Sequence, residues 1–146
     1  MMPALDPLTW LPNQQLFRAR LASVLAGTQG ARLALLHVDL DRFRDVNELL
    51  GWDTGDLLLR ETAARMARAL PRGAMLGHLG GDDFAALVEA PEPQHAVRLG
   101  RALLDACREP FLIDCLSLRV TASVGIGFSC RLRNAADLIE NACYCL

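Results

Sequence analysis

The chain has 146 residues, 52% of them hydrophobic and 22% charged, which is enough length and apolar content to bury one core without disulfide or metal staples. Its 15 basic residues are all arginine and face 17 acids, for a net charge of -2, so no broad positive field is available for nucleic acid or an anionic membrane. The absence of lysine excludes phosphate-loop and Schiff-base chemistry that depends on one.

No apolar run reaches the roughly 18 residues of a membrane span, and the first 20 residues lack the charged-then-apolar order of a signal peptide. Direct membrane insertion by this segment is not expected, although a parent protein can be membrane-anchored. Cys107, Cys115, Cys130, Cys143 and Cys145 form an odd set without CxxC spacing and read as reduced, structural thiols of a cytoplasmic domain.

Between Asn13 and Ala26 the residues Leu16, Phe17, Leu21, Val24 and Leu25 recur at helical spacing, and Gly27 follows as a stop. Arg32 to Leu40 is a nearly continuous apolar run ending in acids, the pattern of a central strand covered on both faces. Phe43 to Leu50 fits a short helix ended by Gly51. Thr54 is placed to cap a longer helix running to Leu70.

Ala74 to Leu79 and Phe84 to Glu89 are strand-like, joined by the turn residues Gly80, Gly81, Asp82 and Asp83. Pro93 to Cys107 is again helical, with His95 on its exposed side. Phe111 to Phe128 is rich in β-formers interrupted near Asp114, and Ala135 to the end is expected to be helical. The order predicts an α+β fold: a mixed, largely antiparallel sheet flanked by helices, of ferredoxin-like or polymerase-palm type.

If the strands ending at Asp39 and beginning after Asp83 are neighbours, the carboxylates of Asp39, Asp41, Asp82 and Asp83 converge. Such a cluster repels itself unless cations occupy it, and Mg²⁺ or Mn²⁺ suits oxygen ligands while leaving positions open for phosphates. Two metals held this way activate an attacking hydroxyl and steady a leaving pyrophosphate. The plainer alternative is that Asp41 caps the next helix and that Asp82 and Asp83 form an acidic hairpin turn. Asp39, an acid after the apolar run Leu33 to Val38, fits that alternative least.

Four ordered blocks resemble the GGDEF family of diguanylate cyclases. Asp6 to Asn13 (DPLTWLPN) is similar to D-x-L-T-G-L-x-N, and Asp39 to Asn47 (DLDRFRDVN) to D-x-D-x-F-K-x-x-N, continuing through Gly51 to Asp56. Gly80 to Phe84 (GGDDF) is the signature loop, and Thr121 to Ile126 (TASVGI) resembles T-x-S-x-G-I. The resemblance implies a bacterial signalling domain in which two GTP-loaded subunits meet as a homodimer and join two GTP into cyclic di-GMP.

It also implies roles. Asp39, the backbone carbonyl of Leu40, Asp82 and Asp83 match metal ligands, with Asp39, Asp82 and Asp83 as the catalytic acids. Asn47 and Asp56 match the residues that read the guanine edge, Gly80 and Gly81 let backbone N–H groups approach phosphates, and Arg44 stands where a phosphate-facing lysine is usual.

Three residues depart from the family pattern: Asp83 replaces glutamate, Trp52 replaces histidine, and His78 replaces the arginine two residues before the loop. The RxxD product-inhibition motif is absent, since its ends fall at Pro71 and Ala74. The resemblance also stops at Leu146, ahead of the family's Tyr-x-Ala-Lys segment. The expectation is therefore a single GGDEF-type domain over 1–146, excised from a larger multidomain protein and cut short in its C-terminal helix.

Either that domain is a cyclase, or it is a degenerate GTP-binding domain regulating an attached EAL-type phosphodiesterase or sensor. His37 reads as a hydrogen-bonded strand histidine with a metal role as the alternative. Trp10 and Trp52 read as packing or partner residues, with base stacking as the alternative.

Overall fold

In the computed structural model, which describes residues 4–27, 32–129 and the backbone of 144–145, the elements run α1 (Gln14–Gly27), β1 (Leu33–Leu40), α2 (Phe43–Leu50), α3 (Trp52–Ala69), β2 (Met75–Gly80), β3 (Asp83–Glu89), α4 (Pro93–Arg108), β4 (Phe111–Ile113), β5 (Leu116–Leu118), β6 (Ala122–Phe128) and β7 (Tyr144–Cys145). Five strands form one sheet in the order β2-β3-β1-β6-β7, and β4 with β5 forms a separate hairpin. Every pairing among the described strands is antiparallel. The expected α+β palm-type architecture is present, with its described sheet wholly antiparallel.

The apolar run of β1 explains why it is central. Its side chains alternate between two faces, and both are covered along most of its length. Ala34, Leu36, Val38 and Leu40 join Leu58, Met66, Leu103 and Phe84 in the larger core against α3 and α4. On the other face Leu33 and Leu35 pack with Phe17 and Leu21 of α1, together with Ala85 and Leu87 of β3. Gly77 of β2 lets α1 approach closely: a Cβ there would lie 2.5 Å from the Phe17 ring.

On this face α1 packs against the start of β1. Beyond Leu35 the same face of β1 presents His37 and Asp39, of which His37 is half-buried and Asp39 exposed. The acidic end of the strand is thus left open by the layer that covers its beginning.

Helix joins depart from expectation at one point. The long helix begins at Trp52, two residues before Thr54, and no side chain caps it. Gly51, at φ 93°, is at once the residue after α2 and the residue before α3, so the chain turns within one residue and leaves no place for a separate cap. At the other end of this layer Arg65 donates to the carbonyls of Ala106 (3.1 Å), Glu109 and Pro110 (2.8 Å) and lies 3.7 Å over the Phe111 ring. One guanidinium therefore satisfies orphan carbonyls at the end of α4 and locks it to α3.

The β-rich stretch after α4 resolves into the β4–β5 hairpin and β6. Its interruption is the turn at Asp114 and Cys115, both at positive φ. Cys107 is buried, and burial pushes its thiol up to about 11, opposed by Arg65, which makes it inert. Cys115 is exposed at the turn, contrary to the structural-thiol reading.

The expectation of a helix from Ala135 to the end is corrected at its last turn. Tyr144 and Cys145 pair with Ile126 and Gly125, using hydrogen-bonding groups that β6 would otherwise present at the sheet edge. The remainder of that predicted helix, with Cys130 and Cys143, lies outside the described residues. No described helix is long and apolar enough to cross a membrane.

Candidate active site

The register places Asp39 directly opposite Asp83 on the open face, and the Leu40 amide donates to the Asp82 carbonyl at 3.3 Å. The turn between β2 and β3 is made by Gly80 and Gly81, at φ 119° and 51°, conformations that glycine adopts without a Cβ penalty. That turn brings Asp82 beside the other two acids. Carboxylate oxygens of Asp39, Asp82 and Asp83 all lie within 4.8 Å of one another.

Like charges directly opposed across strands are destabilising unless a proton or cation intervenes. The electrostatics carry that mark. Lost hydration, then hydrogen bonding and repulsion from Asp82, then Asp83, push the Asp39 carboxyl up to about 7. Its side chain still meets solvent, so the two neighbouring carboxylates are the firmer part of this cause. A donor set of clustered, accessible carboxylate oxygens fits a divalent cation of the hard class.

Asp41, the fourth predicted acid, does not join them. It accepts from the hydroxyls of Thr121 (2.7 Å) and Ser123 (2.8 Å), and its amide donates to the Thr121 carbonyl (2.8 Å). Nor does it cap α2, whose N-cap position is Arg42, in the left-handed region at φ 58°. Asp41 instead fastens the end of β1 to the start of β6, which gives the Thr-x-Ser pair a bracing role.

The residues expected to contact a nucleotide lie on α2 and α3. Asn47 is half-buried, and its Oδ1 is buried without a hydrogen-bond partner. It sits against Gly55, where a Cβ would come within 1.8 Å of Oδ1. Only the missing side chain at Gly55 leaves the amide its place. Asp56 follows on the exposed side of α3, and Arg44 is exposed on α2.

His37 lies diagonally across from Asp83, its Nε2 4.0 Å from Asp83 Oδ1. That nitrogen is buried and, at this distance from Asp83, has no hydrogen-bond partner, so it is not the hydrogen-bonded strand histidine expected. Trp10 and Trp52 are 76% and 73% exposed, which excludes a core-packing role for either.

A connection missed in the sequence lies behind the loop. His78 is buried, its Nδ1 3.0 Å from Asp6 Oδ2 and its Nε2 2.7 Å from the Gly81 carbonyl. The same Asp6 oxygen accepts from the Thr9 amide (2.9 Å) and hydroxyl (2.7 Å). Partial burial acts to raise the Asp6 carboxyl, but the bonds from Thr9 and His78 outweigh it and hold it below its ordinary value. The first and third sequence blocks are thus physically joined. Their pairing could have been suspected only from the coincidence of an Asp-x-x-Thr turn and an unusual histidine.

An antiparallel palm-type sheet with carboxylates gathered where two central strands meet is the class that fold and cluster define. Within it the chain belongs to the GGDEF family, whose model, described as diguanylate cyclase, GGDEF domain, matches residues 3–146. It is a diguanylate cyclase-type domain of cyclic di-GMP signalling.

The bifunctional diguanylate cyclase/cyclic di-GMP phosphodiesterase MucR of Pseudomonas aeruginosa is 39% identical over 123 residues, 83% of this chain and 18% of MucR. The cyclic di-GMP phosphodiesterase NbdA of the same organism is 32% identical over 127 residues, 86% of this chain and 16% of NbdA. The chain therefore spans less than a fifth of either relative. Among solved structures, a sensory box/GGDEF family protein from Caulobacter crescentus matches with a TM-score of 0.89 at 32% identity, covering 94% of this chain and 92% of that one.

Proposed function

We propose that this domain binds GTP with Mg²⁺ or Mn²⁺ and, as a homodimer of GTP-loaded subunits in the cytoplasm, condenses two GTP into cyclic di-GMP. The observation that carries the reading is the gathering of Asp39, Asp82 and Asp83 oxygens within 4.8 Å, at the end of β1 beyond the residues that pack against α1. In each half-reaction the 3′-hydroxyl oxygen of one GTP bonds to the α-phosphorus of the other and pyrophosphate leaves. The bound cation supplies charge neutralisation for the phosphates and acidifies the attacking hydroxyl.

Asp39, Asp82 and Asp83, with the Leu40 carbonyl, hold the cation, and the two acids of the turn support deprotonation of the hydroxyl. Asn47 and Asp56 select guanine: the unpaired Asn47 Oδ1 is an acceptor awaiting a donor, and a carboxylate accepts from N1–H and N2–H. Gly80 and Gly81 offer backbone N–H groups to the phosphates, and Arg44 adds a positive charge there.

A second reading is favoured by one residue. Asp83, where related domains carry glutamate, shortens the reach of one ligand by roughly one C–C bond, and Mg²⁺ demands near-ideal octahedral geometry. In that reading the domain binds GTP without turnover and regulates a covalently attached phosphodiesterase or sensor domain.

The experiment is incubation of the full-length protein with GTP and Mg²⁺, with cyclic di-GMP quantified and GTP binding measured calorimetrically. Product formation supports the cyclase. GTP binding without product leaves the regulator, and absence of both contradicts the nucleotide site itself.

A further inference from the structure

Both nitrogens of the buried His78 ring face oxygens that can only accept: the Asp6 carboxylate at 3.0 Å and the Gly81 carbonyl at 2.7 Å. A neutral imidazole has one N–H and would set a lone pair against one of these oxygens. Proton transfer to Asp6 does not relieve the conflict, because Asp6 Oδ2 already accepts from the Thr9 amide and hydroxyl and is held ionised by those bonds. The arrangement therefore calls for the doubly protonated ring, with Nδ1–H donating to Asp6 and Nε2–H donating to Gly81.

The ring is also fixed in place. It stacks on Phe84 with centroids 4.8 Å apart, and the His78 amide donates to the Pro12 carbonyl at 3.0 Å. Among the described residues its charged partner is Asp6 in the N-terminal turn, and Asp82 follows Gly81 in the chain. On α3, Arg60 donates its Nε to the Leu8 carbonyl of the same N-terminal turn at 3.2 Å. Asp39 and Asp83 belong to the opposite face of the sheet, since His78 pairs with Phe84 and Asp83 precedes it by one residue.

We propose that His78 is a positioning residue: while its ring carries both protons it clamps the Gly80–Asp83 turn to the N-terminal turn, and loss of one proton releases the clamp. The loop that bears Asp82 and Asp83 is then best ordered on the acid side of the histidine range and loosens as the pH rises. Histidine is suited to this because its charge changes near neutrality, whereas an arginine at the position keeps its charge at every pH. The clamp itself does not depend on the function proposed above; only its effect on the acid cluster rests on that reading.

The test is nuclear magnetic resonance of the intact chain from pH 5.5 to 8.5, following the His78 ring nitrogens and the amide exchange of residues 81–83, corrected for base catalysis. The expected result is a ring protonated at both nitrogens at low pH. As it loses a proton, exchange of the loop amides should speed up about tenfold with the same midpoint, the equivalent of one hydrogen bond. In His78→Arg the corrected exchange should be flat across this range.

A ring that keeps one protonation state throughout, or loop exchange that ignores the ring's titration, overturns the proposal. The wild-type measurement decides even where His78→Arg fails to fold. A loop that responds in a chain that binds neither GTP nor Mn²⁺ upholds the clamp and contradicts the functional reading alone.

Discussion

Two halves of one strand show how this domain separates stability from chemistry. From Leu33 to Leu36, β1 is covered on both sides, by Met66 and Leu103 on one face and by Phe17 and Leu21 on the other. Three residues on, one face is still closed over Val38 and Leu40 while the opposite face carries Asp39, in register with Asp83 and open to solvent. The strand is the same; what differs is the packing from α1, which engages Leu33 and Leu35 at the strand's start. Among the described residues the acidic end of this face is the more exposed one, and rigid strand ends are where acids can be held together against their repulsion.

Substitutions at the two ends should therefore fail in different ways. The largest expected effect is in the covered half: Leu36→Ala, at a fully buried position, should cost about 2–5 kcal/mol in urea denaturation. At the open end Asp82→Asn should leave the denaturation midpoint near or above wild type yet lower cyclic di-GMP formation by roughly 100-fold or more. A loss of stability at Asp82 comparable to that at Leu36 would erase the contrast.

A sharper division is expected within the site. Gly55→Ala places a methyl group on the Asn47 amide, so GTP affinity should fall about tenfold by calorimetry while Mn²⁺ binding by the acids is unchanged. Loss of both would mean that the two clusters are one packing unit.

The pH dependence follows from Asp39, whose folded value of about 7 lies above the roughly 3.9 of an unfolded aspartate. The stability it contributes is complete below pH 4 and is lost as pH rises toward 7 in the metal-free chain. Wild type compared with Asp39→Asn across that window should show this decline, and saturating Mg²⁺ should remove it. The smallest effect is a gain: if the short acid limits turnover, Asp83→Glu should raise cyclic di-GMP formation several-fold. No gain turns attention to Trp52.

What could be read in the sequence was what local chemistry decides. The continuous apolar run announced a doubly covered strand, Gly51 announced the end of α2, and the acids at a strand end and in a hairpin turn suggested, if the strands were neighbours, a cluster of Asp39, Asp41, Asp82 and Asp83, of which Asp39, Asp82 and Asp83 do meet. Contacts between distant positions were not legible. Asp41 meets Thr121 and Ser123 across 80 and 82 positions, and His78 meets Asp6 across 72, so neither partner lies in any local window. Thr54 misled as a cap because Gly51, with its positive φ, serves two helices at once. The solvent exposure of Trp10, Trp52 and Cys115 ran against residue types that are usually packed, and only the folded surface shows it.

The acids at the open end of β1 and in the turn after Gly81 are placed to act as one cation site. Titration of Mn²⁺ into the intact chain, followed by the electron paramagnetic resonance signal of the free ion at pH 8, tests it most directly. Saturable binding that is lost in the Asp39→Asn, Asp82→Asn double variant and strengthened by GTP is the predicted result. Equal binding by wild type and the double variant would contradict the account.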